Sequence, residues 1–228
     1  LLLDSAEPPP SSPAHRLLRL AGDVRGGEAG VVLAMLSNLF LLLTAYYVLK
    51  TIREPLILAS GGAEMKSYAA AAQAASLLLF VPVYSFVAAR VGRLTLVAAL
   101  TFVFALQIEL FAAGLVARLP YLGVAFYVWV GIFSLSSIAQ FWSYAADVFA
   151  RDVGERLFPV IAIGATLGSP AGAKLAESLF AADVAPANML HLAAGLLLVH
   201  LGLYWLIERG LTAGRGSPAA LTAPRLRT

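Results

Sequence analysis

The sequence predicts an all-α membrane protein of six transmembrane helices, and three observations carry that reading. Of 228 residues, 60% are hydrophobic and only 13% charged, with a mean hydropathy of +0.83; ordinary soluble domains carry ~25% charged residues. The charges lie between long apolar runs, so that 29–49, 67–89, 94–108, 119–146, 157–173 and 184–207 contain no Asp, Glu, Lys or Arg. Counted through the single charges Glu109 and Lys174, each run reaches the ~20 residues that a helical crossing needs. Segments of about ten alternating residues, the signature of a transmembrane barrel, are missing.

Taken in order, residues 1–28 are expected to form a cytoplasmic amino-terminal segment. Its start, LLLDSAEPPPSSP, is Pro/Ser-rich and lacks an initiating Met, so the natural amino terminus is expected upstream. No short apolar run with a cleavage site precedes the first span, so no signal peptide is expected. Residues 15–28 could form a short surface helix with Leu17, Leu18 and Leu20 on one side. The bundle itself is expected over 29–208.

Helix 1 is predicted over about 30–60. Lys50, Arg53 and Glu54 are followed not by a polar loop but by Pro55 and Leu56-Ile57-Leu58-Ala59. Such a helix is ~45 Å long, more than the ~30 Å hydrocarbon core, so tilt must absorb the excess. Its cations then lie inside the membrane, where ionisable groups are costly and usually face water. Helix 2 opens with an Ala-rich stretch after Tyr68 and ends at a tight turn holding Arg90 and Arg93. Helix 3 carries Gln107 and Glu109. That carboxylate either pairs with Lys50, Arg53 or Lys174 or carries a proton.

Helix 5 places Gly164, Gly168 and Gly172 four apart on one face, a pattern for close helix packing. Pro170 is expected to kink it. Lys174 and Glu177 are three apart and can satisfy each other. His191 and His200 in helix 6 are nine apart and face opposite ways, so no metal site is expected, and no cofactor. Residues 209–228, rich in Gly, Ala, Pro and Arg, are expected to be a disordered cytoplasmic tail or linker.

The absence of cysteine excludes disulfides. A net charge of +3 invites a nucleic-acid reading, but its distribution opposes one. With the amino terminus inside, cytoplasmic segments hold Arg16, Arg19, Arg25, Arg90, Arg93, Arg151, Arg156, Arg209, Arg215, Arg225 and Arg227, against Lys66 and Arg118 outside. That asymmetry is the positive-inside rule. It predicts a multi-pass protein with both termini cytoplasmic, the lipid bilayer as partner and no nucleic-acid partner.

Steps of three and four put Asn38, Leu42, Tyr46, Lys50 and Arg53 on one stripe of helix 1. Arg offers a fork for phosphate or carboxylate and Lys a point charge, so the stripe suits an anionic, ring-bearing solute. Glu109 and Lys174 are expected to border the same cavity. The plainer alternative has Lys50 and Arg53 snorkelling to headgroups. Asp147, Arg151, Asp152, Glu155 and Arg156 crowd the loop between helices 4 and 5. With Arg90 and Arg93 they could form a salt-bridge latch at the inner gate, or simply a solvated surface. An intramembrane serine protease built on Ser169 is disfavoured, because Pro170 follows the serine and no Gly-x-Ser-Gly string surrounds it. No enzyme is expected; a non-transporting scaffold is the other alternative.

Three segments resemble the ATP:ADP antiporter family of nucleotide translocases, related to the major facilitator superfamily. They are YYVLKTIRE at 46–54, GGAE at 61–64, and FWSYAADVFARDVGERLFPVIAIGATLGSPAGA at 141–173. The Arg-x-Gly-Arg turn at 90–93 is similar to the core of the facilitators' signature loop. The resemblance implies a twelve-helix fold of which this chain is the amino-terminal half, and exchange of nucleotides by alternating access without covalent chemistry. It implies a missing carboxy-terminal half, or a second copy, as partner and a bacterial inner membrane as the location. Arg53 takes the place of the family's first-helix lysine, and Glu155 that of the acid opening helix 5. Ala145-Ala146-Asp147 replaces the amide pair common in nucleotide carriers, so the resemblance leaves another small solute as the alternative.

Overall fold

The computed structural model describes residues 28–214, and they form six helices. These are α1 (Ala29–Ala59), α2 (Gly62–Ala88), α3 (Arg93–Val116), α4 (Leu122–Val148), α5 (Arg151–Ala181) and α6 (Pro186–Gly214). The surface helix expected over 15–28 falls outside the described residues apart from Glu28, as does the tail beyond Gly214. Helix α6 continues to Gly214, past the end expected at 208. No proline interrupts it before Pro218, so 209–214 belong to the helix rather than to a tail.

Five of the six helices are long and apolar enough to cross a membrane, and α5 is the exception. Arg151, Asp152, Glu155 and Arg156 occupy its start, and Lys174 and Glu177 lie near its end. The six expected helices are all present, and five of them qualify as spans by length and composition; α5 does not. What holds it in the bundle is its glycine face. A Cβ added at Gly164 would sit 2.2 Å from the Leu36 carbonyl oxygen, at Gly168 2.5 Å from that of Phe40, and at Gly172 2.4 Å from that of Thr44. The two backbones touch in rising order, so α1 and α5 run parallel and pack where only hydrogen side chains fit.

Helix α1 is the central element and packs against α5, α6, α4 and α2. Up to Leu49 it carries no charged residue, as suits a buried helix, and Val32, Met35, Leu39, Val48, Leu49 and Ile52 are fully buried. It runs unbroken through Pro55, and α5 through Pro159 and Pro170. Near the end of α1, a Cβ on Gly123 would lie 2.3 Å from the Leu56 carbonyl oxygen. The end of α1 thus meets the start of α4, and the two are antiparallel.

The substantial helix contacts follow a rule. They join α1–α5 and α2–α4, α1–α6 and α3–α4, α1–α2 and α4–α5, together with α3–α6 and α1–α4. Exchanging α1, α2, α3 for α4, α5, α6 maps every one of these contacts onto another or onto itself. Because α1 and α4 are antiparallel, this order of neighbours is the one that an inverted repeat of two three-helix units would give.

The cationic end of helix α1 as candidate functional site

The last third of α1 places Tyr46, Tyr47, Lys50, Arg53 and Glu54 at helical spacings of three and four, so their side chains share a sector. Tyr46 and Tyr47 meet edge to face at 5.3 Å. The Lys50 ammonium lies 5.0 Å from the Tyr47 ring centroid. The Arg53 guanidinium stacks 4.3 Å from the centre of the Tyr127 ring on α4. Its Nη2 donates to Glu54 Oε1 at 3.0 Å, while Glu54 Oε2 accepts from Lys66 Nζ of α2 at 2.5 Å. Two cations thus share one carboxylate, with Lys50 one turn earlier on the same sector, and an anion would complete the group.

Burial sharpens the point. The Arg53 side chain is only 13% exposed, whereas those of Glu54 and Lys66 are 37% and 40% exposed. Arg53 Nε is buried and has no hydrogen-bond partner, an unusual state for a donor that costs free energy when unmatched. Taking Thr44 as the midpoint of α1, Lys50 lies ~9 Å and Arg53 ~14 Å along the axis at ~1.5 Å per residue. The hydrocarbon half-thickness is ~15 Å, so both cations fall within it for a centred helix. The Arg53 head is held against Tyr127.

The rest of the expected stripe does not join this cluster. Asn38 is fully buried. Its Nδ2 donates to the His200 carbonyl at 3.4 Å, and its own carbonyl lies 3.1 Å from His200 Nδ1. It is a tie between α1 and α6, not a cavity group, because the early part of α1 is covered on that side by α6. Glu109 does not pair with Lys50, Arg53 or Lys174; its Oε2 lies 2.6 Å from His191 Nδ1, across α3 and α6. Lys174 reaches only Glu177, at 2.9 Å, on an exposed face of α5 with the two side chains 72% and 66% exposed.

The expected latch is likewise redistributed. Arg151 pairs with Glu155 within its own helix at 3.2 Å. Arg156 makes a two-pronged contact with Glu28, at 2.9 and 2.7 Å. Because α1 and α5 are parallel, their starts are neighbours, and this fork joins them. Arg90 turns back to donate to the Phe86 carbonyl at 2.8 Å and covers the Phe86 ring. Arg93 opens α3, and its side chain is outside the described set. Asp147 instead lines a cavity of ~390 Å³ with Tyr84, Gln140 and Ser143.

Sequence reading missed Tyr127 and the roles of Lys66 and Glu28. Lys66 was legible only as an outside cation, and nothing in the local pattern marks Tyr127 as the platform for Arg53. The Ser169 hydroxyl donates to the Ala165 carbonyl at 2.9 Å in its own helix, the ordinary fate of a helical serine. Among the described residues no group of three or more His, Cys, Asp or Glu could hold a metal. No family model, no curated protein and no solved structure matches this chain.

Proposed function

We propose that this six-helix unit is one half of a secondary transporter for an organic anion. The observation that carries the reading is the cationic cluster itself. Arg53 and Lys66 share a single carboxylate, Lys50 stands one turn before Arg53 against Tyr47, and one guanidinium nitrogen is buried and unmatched. Ionisable groups kept within apolar helices mark solute pathways by default, and the sign here selects an anion. Tyr46 and Tyr47, both partly exposed, supply aromatic surfaces that suit a ring on the same solute.

The order of neighbours among α1–α3 and α4–α6 supports a major-facilitator-type half, since such halves are built from inverted three-helix repeats. Under this reading the half-exposed Glu54 and Lys66 face a second six-helix half or a second copy, and the solute passes as the two halves rock. The translocase-like segments favour a nucleotide exchanged for another nucleotide or phosphate. The arginine asymmetry favours an inner-membrane protein with both termini cytoplasmic.

The test is uptake of labelled ATP, other nucleotides and phosphate by proteoliposomes holding the full-length protein. Arg53→Gln and Lys50→Gln should each lower flux of the carried anion at least about tenfold, because each removes a charged contact worth ~1.5–3 kcal/mol. Lys174→Ala should leave it unchanged. Flux in Arg53→Gln equal to wild type removes the site assignment, and no flux of any anion removes the transporter reading.

A further inference from the structure

Helices α3 and α6 leave a groove on the outside of the bundle. It has a volume of ~420 Å³ and is lined by Leu94 and Ala98 of α3 and by Leu198, Leu201, Gly202 and Trp205 of α6. No lining side chain can ionise. Gly202 forms part of its floor, and a Cβ there would meet nothing within 4 Å. Both Leu198 and Trp205 are 49% exposed, so the groove opens to whatever surrounds the helices.

Arg209 stands just beyond one end of the groove. The Arg209 guanidinium lies 3.3 Å from the Trp205 ring centre, one turn beyond the groove. At the same end of the bundle Arg90 covers the Phe86 ring at 3.4 Å, and Phe86 is 59% exposed. Aromatic rings carrying an arginine above them are the pattern of side chains at a membrane–water boundary. The groove therefore starts at headgroup level and runs inward along apolar side chains. An apolar cleft with a cation at its mouth complements a molecule with an acyl tail and an anionic head.

We propose that the α3–α6 groove is a binding site for one anionic phospholipid, its acyl chain against Leu198, Leu201 and Gly202 and its phosphate at Arg209. The site is independent of the transporter reading, because it shares no residue with the cluster at Arg53.

The test uses the purified full chain in detergent with added phosphatidylglycerol or phosphatidylcholine, and native mass spectrometry of the lipid retained. Wild type should hold one phosphatidylglycerol at least about fivefold better than phosphatidylcholine. Arg209→Gln should abolish that preference, and Gly202→Leu should lower retention of both lipids by filling the groove. Gly30→Leu, also open around its Cβ but on α1 away from the groove, should change neither. Equal retention of the two lipids by wild type overturns the proposal, as does an equal loss in Gly30→Leu and Gly202→Leu. A stable dimer whose formation excludes lipid from the groove overturns it too, in favour of a second copy. Should Gly202→Leu not fold, quenching of Trp205 by phosphatidylglycerol brominated on its acyl chain decides. Quenching lost in Trp205→Phe supports the site, and quenching unchanged in Trp205→Phe refutes it.

Discussion

Replacing Gly164 with alanine adds one methyl group against the α1 backbone. The new Cβ would lie 2.2 Å from the Leu36 carbonyl oxygen and 3.2 Å from the Phe40 amide nitrogen, where ordinary contact begins at 3.4 Å. The obstacle is main chain in the middle of a buried helix and cannot swing aside, so α1 and α5 must part by roughly 1 Å, losing close contacts along the seam. Overpacking of this kind costs about 1–3 kcal/mol, and alanine's better helix propensity returns at most ~1 kcal/mol. The net expectation is a destabilisation of about 1–2 kcal/mol. Gly195 is the internal control: a Cβ there meets nothing within 4 Å, so Gly195→Ala should stabilise by about 0.5–1 kcal/mol. The two substitutions are chemically identical and should differ in sign. Reversible unfolding in mixed micelles with rising dodecyl sulfate, followed by tryptophan fluorescence, measures both. A Gly164→Ala protein as stable as wild type, beside a stabilised Gly195→Ala, would falsify the backbone contact between α1 and α5.

Two further outcomes follow from contacts between helices. Arg156→Gln should destabilise by about 1–3 kcal/mol, since the fork to Glu28 is charge-assisted with the two side chains 17% and 24% exposed; the exchange Glu28→Arg with Arg156→Glu should recover part of that loss, and no recovery in the unfolding titration would argue against direct pairing. Trp129 Nε1 donates to Gln107 Oε1 at 2.8 Å between α4 and α3, so Gln107→Leu should cost about 0.6–1.7 kcal/mol and shift Trp129 emission to the blue. An unchanged emission spectrum would mean that the indole does not feel the amide.

The six helices were readable in the chain because burial in lipid and burial in protein both demand long apolar runs. Their boundaries followed from where charges and turns interrupt those runs, with the exceptions of α5 and the end of α6. Helix α5 shows the limit: its charges make it a poor span by composition, and its place depends on Gly164, Gly168 and Gly172 meeting Leu36, Phe40 and Thr44. The glycine spacing announces that something approaches closely, but not what.

The candidate site divides in the same way. The sequence by itself determined that Lys50 and Arg53 sit among apolar residues on one sector of a helix, because helical periodicity is local. Only the tertiary structure decided that Tyr127 and Lys66 join them, that Asn38 turns to His200 instead, and that Glu109 meets His191. Those partners are far apart along the chain, and which of them meet depends on the order in which helices pack. Local spacing sets the direction of a side chain; the neighbour it finds there is a property of the whole bundle.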